Sequence, residues 1–309
     1  MRNRPLKNLN CFFLLIVLFA VFFAASCNGS DKKVADKTSL QGAVTSAKRI
    51  ISAAPSNTEI IIALGLGDHL IALDPYSIDV ADVPSGLPEI DFFYPDTEAV
   101  IGLEPDLIFV NEVNSFGVAN NPFKILNSLG IKVVEVRTST SIEGIYGDIV
   151  FIAETLGMKD RGEALVKSMR EEIESVAAAG ARLAEKKTVY FEVSAMPSMV
   201  TFGQDTYLNE MIEICGGVNV FADQKGWFSP SAEEIINRDP DIILTLFSHG
   251  VDPVSEIMGR KAFESIKALR QNRVFPIDTN SAARPSQNII MALREMTLAI
   301  NPAYYETAR

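Results

Sequence analysis

The segment Glu98–Phe109, EAVIGLEPDLIF, has a counterpart 135 residues further along the chain, at Glu233–Leu244, EEIINRDPDIIL. In each segment an acidic residue opens a helical pattern, a Pro-Asp pair ends the pattern, and an apolar, strand-like run follows. A helix followed by a buried strand is the repeating unit of α/β proteins. Its recurrence at a fixed offset predicts two related α/β lobes.

The chain on either side of these segments also alternates between apolar runs and helical patterns, which favours an α/β fold. Arg49–Ala54 is a short strand pattern. We interpret Ser56 and Glu59, which follow it, as a capping box that opens a helix ending at Gly65. Residues 158–185 carry apolar side chains three or four positions apart, which predicts one long amphipathic helix.

The N-terminal end of the chain is typical of a lipoprotein signal peptide. Three basic residues precede an apolar run of about 15 residues, shorter than the roughly 20 residues that a membrane-spanning helix needs. Small residues then lead to Cys27, which predicts cleavage before this cysteine and its lipidation. Plain cleavage nearby, with Cys27 left as an ordinary thiol, is the alternative.

Removal of residues 1–26 takes away three of the 28 basic residues and none of the 39 acidic ones, leaving a formal charge of −14. Such a chain repels nucleic acid, which is excluded as a partner. Of the three cysteines, Cys11 lies in the removed segment and Cys27 is lipidated. Only Cys215 remains, so no intramolecular disulfide can form.

We therefore divide the chain into five segments. They are a signal peptide (1–26), the lipidated cysteine with a flexible tether (27–47), an N-terminal α/β lobe (48–157), a connecting helix (158–185) and a C-terminal α/β lobe (186–309).

Ligands of open α/β sheets bind beyond the carboxyl ends of the strands. The loops at these positions are rich in aromatic residues and include the only tryptophan, which suits a broad, flat, partly apolar ligand. Arg284 could pair with an anionic group of the ligand or with an acid of the chain, and His249 could contact the ligand or haem iron. The candidate ligand-binding residues are Tyr76, Phe93, Tyr94, Trp227, Phe228, His249 and Arg284.

Four segments occur in a characteristic order: RIISAAPSNTEIIIALGLGDHLIALDPYS (49–77), TEAVIGLEPDLIF (97–109), TFGQDTYLNEMIEICGGVNVFAD (201–223) and SPSAEEIINRDPDII (229–243). Together they resemble the class III periplasmic-binding proteins, a family that includes the binding proteins for ferric siderophores, haem and vitamin B12. The resemblance implies two Rossmann-like α/β lobes joined by one long helix, with the ligand in a cleft between them.

The same resemblance implies a function. The chain would be the exported, membrane-anchored substrate-binding lipoprotein of an ABC importer, and would deliver an iron chelate or a corrinoid to a permease driven by an ATPase. Glu98 and Glu233 stand where the family has its two docking glutamates, one per lobe, which meet arginines of the permease. An acid in a first helical turn also stabilises the helix dipole, and Asp96 and Glu234 could serve that purpose equally well.

Other functions are weighed against this one. The chain has two histidines, in different lobes and without metal-ligand spacing, so we expect no resident metal or cofactor. Direct ferric-ion binding through Tyr76 or Tyr94 with Glu112 stays open, as do oxyanion binding and a role as a ligand sensor. No nucleophile elbow or phosphate loop is present, and Cys215 lies in an apolar helical run as a buried thiol would. We expect a monomer without enzymatic activity.

Overall fold

The computed structural model describes residues 47–92, 94–112, 122–247 and 252–304. The chain divides into two compact units. The N-terminal unit comprises the described residues up to Glu172 together with Ala283–Ile290, which we call the return segment. The C-terminal unit comprises Ile173–Ala282 and the described residues from Met291 onward. The predicted signal peptide and Cys27 lie outside the described residues.

The N-terminal unit is built on a four-stranded parallel sheet in the order β2-β1-β3-β4. Its strands are β1 (Ile50–Ser52), β2 (Leu70–Leu73), β3 (Leu107–Asn111) and β4 (Lys132–Val136), and its helices are α1 (Pro55–Ala63), α2 (Thr97–Gly102), α3 (Pro122–Ser128) and α4 (Ile142–Thr155). Apolar residues of the strands, such as Ile51 and Ile108, are buried against Val100 of α2 and Leu126 of α3. Each fully buried side chain of this size stabilises the fold by roughly 1.5–3 kcal/mol.

The C-terminal unit has a second four-stranded parallel sheet in the order β10-β9-β5-β7. Its strands are β5 (Thr188–Glu192), β7 (Val218–Asn219), β9 (Ile242–Phe247) and β10 (Val274–Asp278). A separate antiparallel pair joins β6 (Thr201–Phe202) to β8 (Trp227–Phe228). The helices that follow α4 along the chain are α5 (Lys159–Gly180), α6 (Tyr207–Ile214), α7 (Ala232–Arg238), α8 (Pro253–Met258), α9 (Lys267–Arg270), α10 (Thr279–Ala283) and α11 (Ile289–Ile300).

The two sheets have the same topology, because β5, β7, β9 and β10 take the places of β1, β2, β3 and β4. The predicted repeat is therefore confirmed. In both halves a residue with positive φ ends the helix, Glu104 (φ 46°) after α2 and Asp239 (φ 42°) after α7. The aspartate of the next Pro-Asp pair then binds the start of the central strand: Asp106 accepts the Lys48 N–H at 2.9 Å, and Asp241 accepts the Thr188 N–H at 2.9 Å.

The long helix predicted over residues 158–185 is α5, and the division between the two units falls inside it, between Glu172 and Ile173. It ends at Gly180, five residues earlier than predicted, at a close backbone contact with the end of α6. A Cβ atom on Gly180 would lie 2.4 Å from the carbonyl oxygen of Ile214, so only glycine permits this approach. None of the helices in the described ranges is both long and apolar enough to cross a membrane.

The predicted capping box of Ser56 and Glu59 is wrong. Helix α1 begins two residues earlier, with Ala54 rather than Ser56 as its N-cap and Pro55 in its first turn, and no side chain caps it. Proline at this position needs no partner for its nitrogen, which favours the earlier start. Glu59 therefore lies beyond the first turn, where its buried carboxylate binds other groups. The predicted end of the helix is confirmed, because Gly65 has a φ of +78°.

Candidate functional site

The carboxyl ends of the four parallel strands of the N-terminal unit lie along one edge of its sheet, which we call the N-terminal edge. Asn57, in the first turn of α1, donates a hydrogen bond of 2.9 Å to the side chain of Asn111, at the end of β3. The loop after β2 is fixed to the same edge, since the Asp74 N–H donates to the Ser52 carbonyl at the end of β1. This edge is where a ligand of an open α/β sheet binds.

Tyr76 lies in the loop after β2 and is half-buried. Its N–H donates to Asp74 Oδ1 at 2.9 Å, and its carbonyl accepts from Arg284 Nη2 at 3.0 Å. Burial raises the pKa of Asp74 to about 6, while hydrogen bonds from the Ser77 hydroxyl and the Tyr76 backbone oppose the rise. The backbone of Tyr76 is thus held on both sides at the N-terminal edge.

Arg284 belongs to the return segment, and the structure therefore places it in the N-terminal unit, whereas the sequence suggested the C-terminal lobe. Its side chain is 8% exposed and forms ion pairs with Glu59 Oε1 at 3.2 Å and Asp79 Oδ1 at 2.7 Å. The guanidinium thus binds two carboxylates and the Tyr76 carbonyl. Its charge is compensated inside the protein, and its contacts hold the Tyr76 loop in place.

Glu59 is the buried partner of this arginine, with its side chain 4% exposed. Burial raises its pKa, and hydrogen bonds from the Ser286 hydroxyl and Arg284 act in the opposite direction. Gln287 also donates from Nε2 to the Glu59 carbonyl at 3.2 Å. Three residues of the return segment therefore bind this one residue of α1. Removal of these partners would leave the buried carboxylate uncompensated and would lower the stability of the fold.

A cluster of polar residues occupies the other end of the N-terminal edge, where β3 and β4 finish. Ser139, in the loop after β4, donates to Asp148 Oδ2 of α4 at 2.5 Å. Burial raises the pKa of Asp148 to about 6; the Ser139 hydrogen bond lowers it, nearby Glu112 raises it and Arg137 lowers it. We call Glu112, Arg137 and Asp148 the β4-end cluster. It contains two acids and one exposed arginine.

Exposed apolar side chains flank these polar groups. Tyr94 is 86% exposed and Ile78, in the loop after β2, is 59% exposed. Tyr94 follows a segment that runs beside the end of β2, since the Ile90 N–H donates to the Leu73 carbonyl at 2.9 Å. Both residues are available to a ligand with apolar surface. Phe93, the third candidate in this region, lies outside the described residues.

The aromatic candidates of the C-terminal unit lie in β8 rather than in a loop. Trp227 and Phe228 are half-buried. The Trp227 ring packs edge-on against Phe202 with centroids 5.5 Å apart, and Phe228 packs in the same manner on Phe221 at 5.2 Å. Strand β6, the partner of β8, begins at the end of β5, where the Thr201 hydroxyl donates to the Phe191 carbonyl at 2.8 Å. The pair β6–β8 therefore places Trp227 near the carboxyl end of the second sheet.

Two methionines of the loop after β5 have opposite environments. Met199 is buried in the core of the C-terminal unit, whereas Met196 is 54% exposed. His249 lies outside the described residues. Among the residues that the structure describes, no group of three or more His, Cys, Asp or Glu side chains could hold a metal ion.

Cys215 is fully buried at the end of α6, and its Sγ lies 3.3 Å from the Thr297 hydroxyl oxygen. Burial raises its pKa to about 12. The predicted buried thiol is confirmed, and it is a poor nucleophile in this environment.

Glu98 and Glu233 occupy the same position, the second residue of α2 and of α7, and both are exposed. The capping roles are taken by their neighbours. Asp96 accepts from the N–H groups of Glu98 and Ala99, and Glu234 completes a capping box with Ser231. Within the described residues, the carboxylates of Glu98 and Glu233 join no ion pair or hydrogen bond. Both are free to meet a cationic partner.

Three features of the site did not follow from sequence: the burial of Arg284, the exposure of Ile78 and the β4-end cluster. The first and the third depend on contacts between residues that are distant in sequence, as between residues 59 and 284. An exposed isoleucine beside Tyr76 in a loop was a local signal that was available, because an apolar side chain in an otherwise polar turn often marks a contact surface.

Comparisons with known proteins give a consistent result. A family model described as "Periplasmic binding protein" matches residues 50–280. The chain is 32% identical over 260 residues to the "Uncharacterized ABC transporter substrate-binding lipoprotein YvrC" of Bacillus subtilis strain 168, an alignment that covers 82% of this chain and 80% of that protein. It is 28% identical over 257 residues to a vitamin B12-binding protein of Vibrio parahaemolyticus, covering 81% of this chain and 88% of that one.

Among solved structures, the chain is similar to the crystal structure of a possible iron-binding (periplasmic solute-binding) protein from Staphylococcus epidermidis ATCC 12228. The TM-score is 0.70 with 31% sequence identity, and the match covers 82% of this chain and 98% of that chain. The similarity thus extends over both α/β units of the described chain.

Proposed function

The chain belongs to the periplasmic binding protein family, and from this premise we propose that it is the substrate-binding lipoprotein of an ABC importer. It captures an iron chelate, either a ferric siderophore or haem, or a corrinoid, and delivers it to the membrane permease, which works with an ATPase. The relatives whose names carry a ligand are described as binding vitamin B12 or as possibly iron-binding.

The observation that carries this proposal is the pair of exposed glutamates at equivalent positions of the two halves. Glu98 and Glu233 are not needed as helix caps, since Asp96 and the Ser231–Glu234 box already fill that role. Their equivalent positions in the two halves fit a partner that presents a cation to each lobe.

We assign ligand binding to the aromatic and apolar side chains at the carboxyl ends of the two sheets. Tyr76 and Trp227 are the principal contacts, and Tyr94, Phe93, Phe228 and His249 are secondary ones. Arg284 acts on the ligand through the Tyr76 loop that it holds.

Substitution of Tyr76 is the first test. A buried aromatic contact contributes about 1–3 kcal/mol to binding. Tyr76→Ala should therefore weaken the affinity for the chelate by roughly 5- to 150-fold. Titration calorimetry of the purified protein with cyanocobalamin, haem and ferric siderophores measures the change.

Tyr76→Phe is the matched control, because it keeps the ring and the backbone contacts and removes only the hydroxyl. Its affinity should stay within about threefold of the unmodified protein. Equal affinities of the Ala variant and the unmodified protein would show that this tyrosine makes no contact with the ligand.

We propose that Cys27 carries the lipid anchor and that the protein works at the extracytoplasmic face of the membrane. The run of small residues before Cys27 supports this, and so does the lipoprotein description of the Bacillus relative. Cys27→Ser should move the protein from the membrane fraction to the soluble fraction, because the acyl chains that hold it are lost. The amount of the variant in each fraction is measured after a high-salt wash. A variant that stays with the membrane would contradict anchoring through Cys27.

The other functions that were weighed have less support. Direct ferric-ion binding through Tyr76 or Tyr94 with Glu112 needs several oxygen ligands that converge on one ion. A free-standing sensor has no use for two equivalent docking acids. We propose no enzymatic activity, since the family consists of binding proteins and the one thiol of the C-terminal unit is buried.

A further inference from the structure

The loop after β2 exposes two side chains and buries two others that fix its shape. Tyr76 is half-buried and Ile78 is 59% exposed, whereas Asp74 is 4% exposed and Ser77 is fully buried. The Ser77 N–H donates to the Asp74 carbonyl at 3.0 Å, which closes a turn around Tyr76. The residues that hold the backbone of this loop are therefore distinct from those that it presents to a ligand.

Asp74 binds the loop through both oxygens of its carboxylate. Oδ1 accepts from the Tyr76 N–H at 2.9 Å, and Oδ2 accepts from the Ser77 hydroxyl. The Asp74 N–H donates to the Ser52 carbonyl at 3.0 Å, which attaches the same residue to β1. An ionised carboxylate only accepts hydrogen bonds, and such charge-assisted bonds are roughly twice as strong as neutral ones. The ionised form of Asp74 thus holds the Tyr76 backbone more firmly than a neutral side chain would.

A line of buried hydroxyl groups continues from Ser77 toward β1. Ser77 Oγ lies 2.9 Å from Thr58 Oγ1, and the Thr58 hydroxyl donates to Ser52 Oγ at 2.8 Å. The Ser52 hydroxyl donates in turn to the Ala54 carbonyl at 3.2 Å. Because a hydroxyl rotates to suit its neighbours, Ser77 can also accept from a donor at position 74 and donate to Thr58. A neutral amide in place of Asp74 therefore leaves no hydroxyl of this line without a partner.

The charge of Asp74 lowers the stability of the fold. Burial raises its pKa to about 6, although hydrogen bonds from Ser77 and Tyr76 and the charge of Arg284 lower it. An acid whose pKa is raised on folding contributes stability below its unfolded pKa, and that stability is lost as the pH rises through about 6. At neutral pH a neutral residue would therefore be more favourable at this position. A residue that acts against stability in this way is better explained by function than by folding.

We propose that Asp74 is a positioning residue for ligand capture: its ionised carboxylate fixes the loop that presents Tyr76 and Ile78, and it acts on the ligand only through that loop. The inference rests on the proposed function, in which Tyr76 contacts the chelate. Loss of the charge loosens the loop, so that part of the binding free energy is used to order it again. Affinity then falls while stability rises, which a purely structural role does not predict.

Other charged groups lie near Asp74 and have to be distinguished from it. They are Arg284 of the return segment, Glu59 of α1, Asp79 of the same loop, and Glu89 and Asp91 in the segment beside the end of β2. Arg284 is paired with Glu59 and Asp79. Burial raises the pKa of Glu59 as well. A loss of affinity in acid does not by itself identify Asp74, and variants at this position are needed.

Asp74→Asn tests the proposal, because asparagine keeps the shape and an acceptor for the Tyr76 N–H and removes the charge. Whichever of cyanocobalamin, haem and a ferric trihydroxamate binds the unmodified protein should bind the variant about 5- to 20-fold more weakly at neutral pH. The midpoint of thermal unfolding should nevertheless rise by about 2–4 °C. Asp82→Asn removes the same charge from an exposed position further along the chain and should change neither quantity.

The pH profile separates Asp74 from Glu59. The affinity of the unmodified protein is divided by that of the Asp74→Asn variant at each pH, so that titration of the ligand itself cancels. This ratio should fall toward one as the pH drops through about 6, because Asp74 loses its charge there. In the Ser77→Ala background the ratio should fall at a higher pH, because that substitution removes a hydrogen bond that lowers the pKa of Asp74.

Hydrogen–deuterium exchange provides a measurement without ligand. The amides of Tyr76 and Ser77 should exchange about 3- to 10-fold faster in Asp74→Asn than in the unmodified protein at the same pH. Unchanged exchange, unchanged affinity, a loss of stability together with affinity, or a ratio that does not vary with pH would each overturn the inference and leave the proposed function in place. If none of the three chelates binds the unmodified protein, the proposed function fails and the inference fails with it.

Discussion

Uptake should be lost when Glu98 and Glu233 are both replaced by alanine, while the purified protein keeps its affinity for the chelate within a few-fold. Both carboxylates are exposed at the second position of a short helix, and no group within the described residues binds them. Each is therefore available to an arginine of the permease, and loss of a charge-assisted contact on both lobes should reduce uptake by at least about 100-fold. Transport of radiolabelled ligand into cells or proteoliposomes measures this effect.

The control for net charge is Glu171→Ala with Glu174→Ala, which removes two exposed acids from α5. Its uptake should match that of the unmodified protein. A second control, Glu98→Ala alone, should give an intermediate loss, because one lobe still docks. Uptake that survives the double substitution would refute docking through these glutamates, and a parallel loss of ligand affinity would place them in the binding site instead.

The largest effect on stability is expected from Arg284→Ala. Removal of one partner from a buried ion pair leaves an uncompensated charge and costs about 3–5 kcal/mol. Here the remaining group is Glu59, whose carboxylate is 4% exposed. Hydrogen–deuterium exchange should become faster in α1, which carries Glu59, while α7 in the C-terminal unit serves as the internal reference.

The loss of stability in this variant should depend on pH. Burial already raises the pKa of Glu59 in the folded protein. Without Arg284 that pKa rises further, so the folded state of the variant favours protonated Glu59. A raised folded-state pKa contributes stability below the pKa of the unfolded chain, and this stability is lost as the pH rises through the folded value. The defect should therefore be smallest in acid and grow toward neutral pH.

Two further variants distinguish charge from packing. Adding Glu59→Gln to Arg284→Ala removes the buried charge and should restore part of the lost stability, because the carboxylate no longer needs a partner. Arg137→Ala removes an exposed arginine from the same edge and should change stability by no more than about 0.5 kcal/mol. If Arg284→Ala were no more harmful than Arg137→Ala, the buried pair would have no structural role.

Local patterns were sufficient for most of the fold. The echo at Glu98 and Glu233 correctly indicated two halves with one topology, because helix, Pro-Asp break and strand are all encoded within a dozen residues. The strand predicted within Arg49–Ala54 is β1, Ile50–Ser52. The two-residue strands β6 and β8 were not predicted, since a pair this short depends on its partner rather than on its own sequence.

The site could be predicted less well from the sequence than the fold, because its chemistry depends on long-range contacts. Glu59 fits the local pattern of a capping box, yet its partners lie in the return segment more than 200 residues away. The same contact, together with that to Asp79, compensates the charge of Arg284 inside the protein. No sequence pattern indicated that Asp148 belongs to the site, because only the packing of α4 beside the end of β4 brings it to Ser139.

The most direct measurement is a fluorescence titration of the unmodified protein with each chelate. Trp227 is the only tryptophan of the chain, and its half-buried ring lies near the carboxyl end of the second sheet. A bound corrinoid, haem or ferric chelate should quench or shift its emission, with saturation at one ligand per protein. An emission that stays unchanged with every chelate, while calorimetry shows no binding, would contradict the proposal that this protein captures metal chelates.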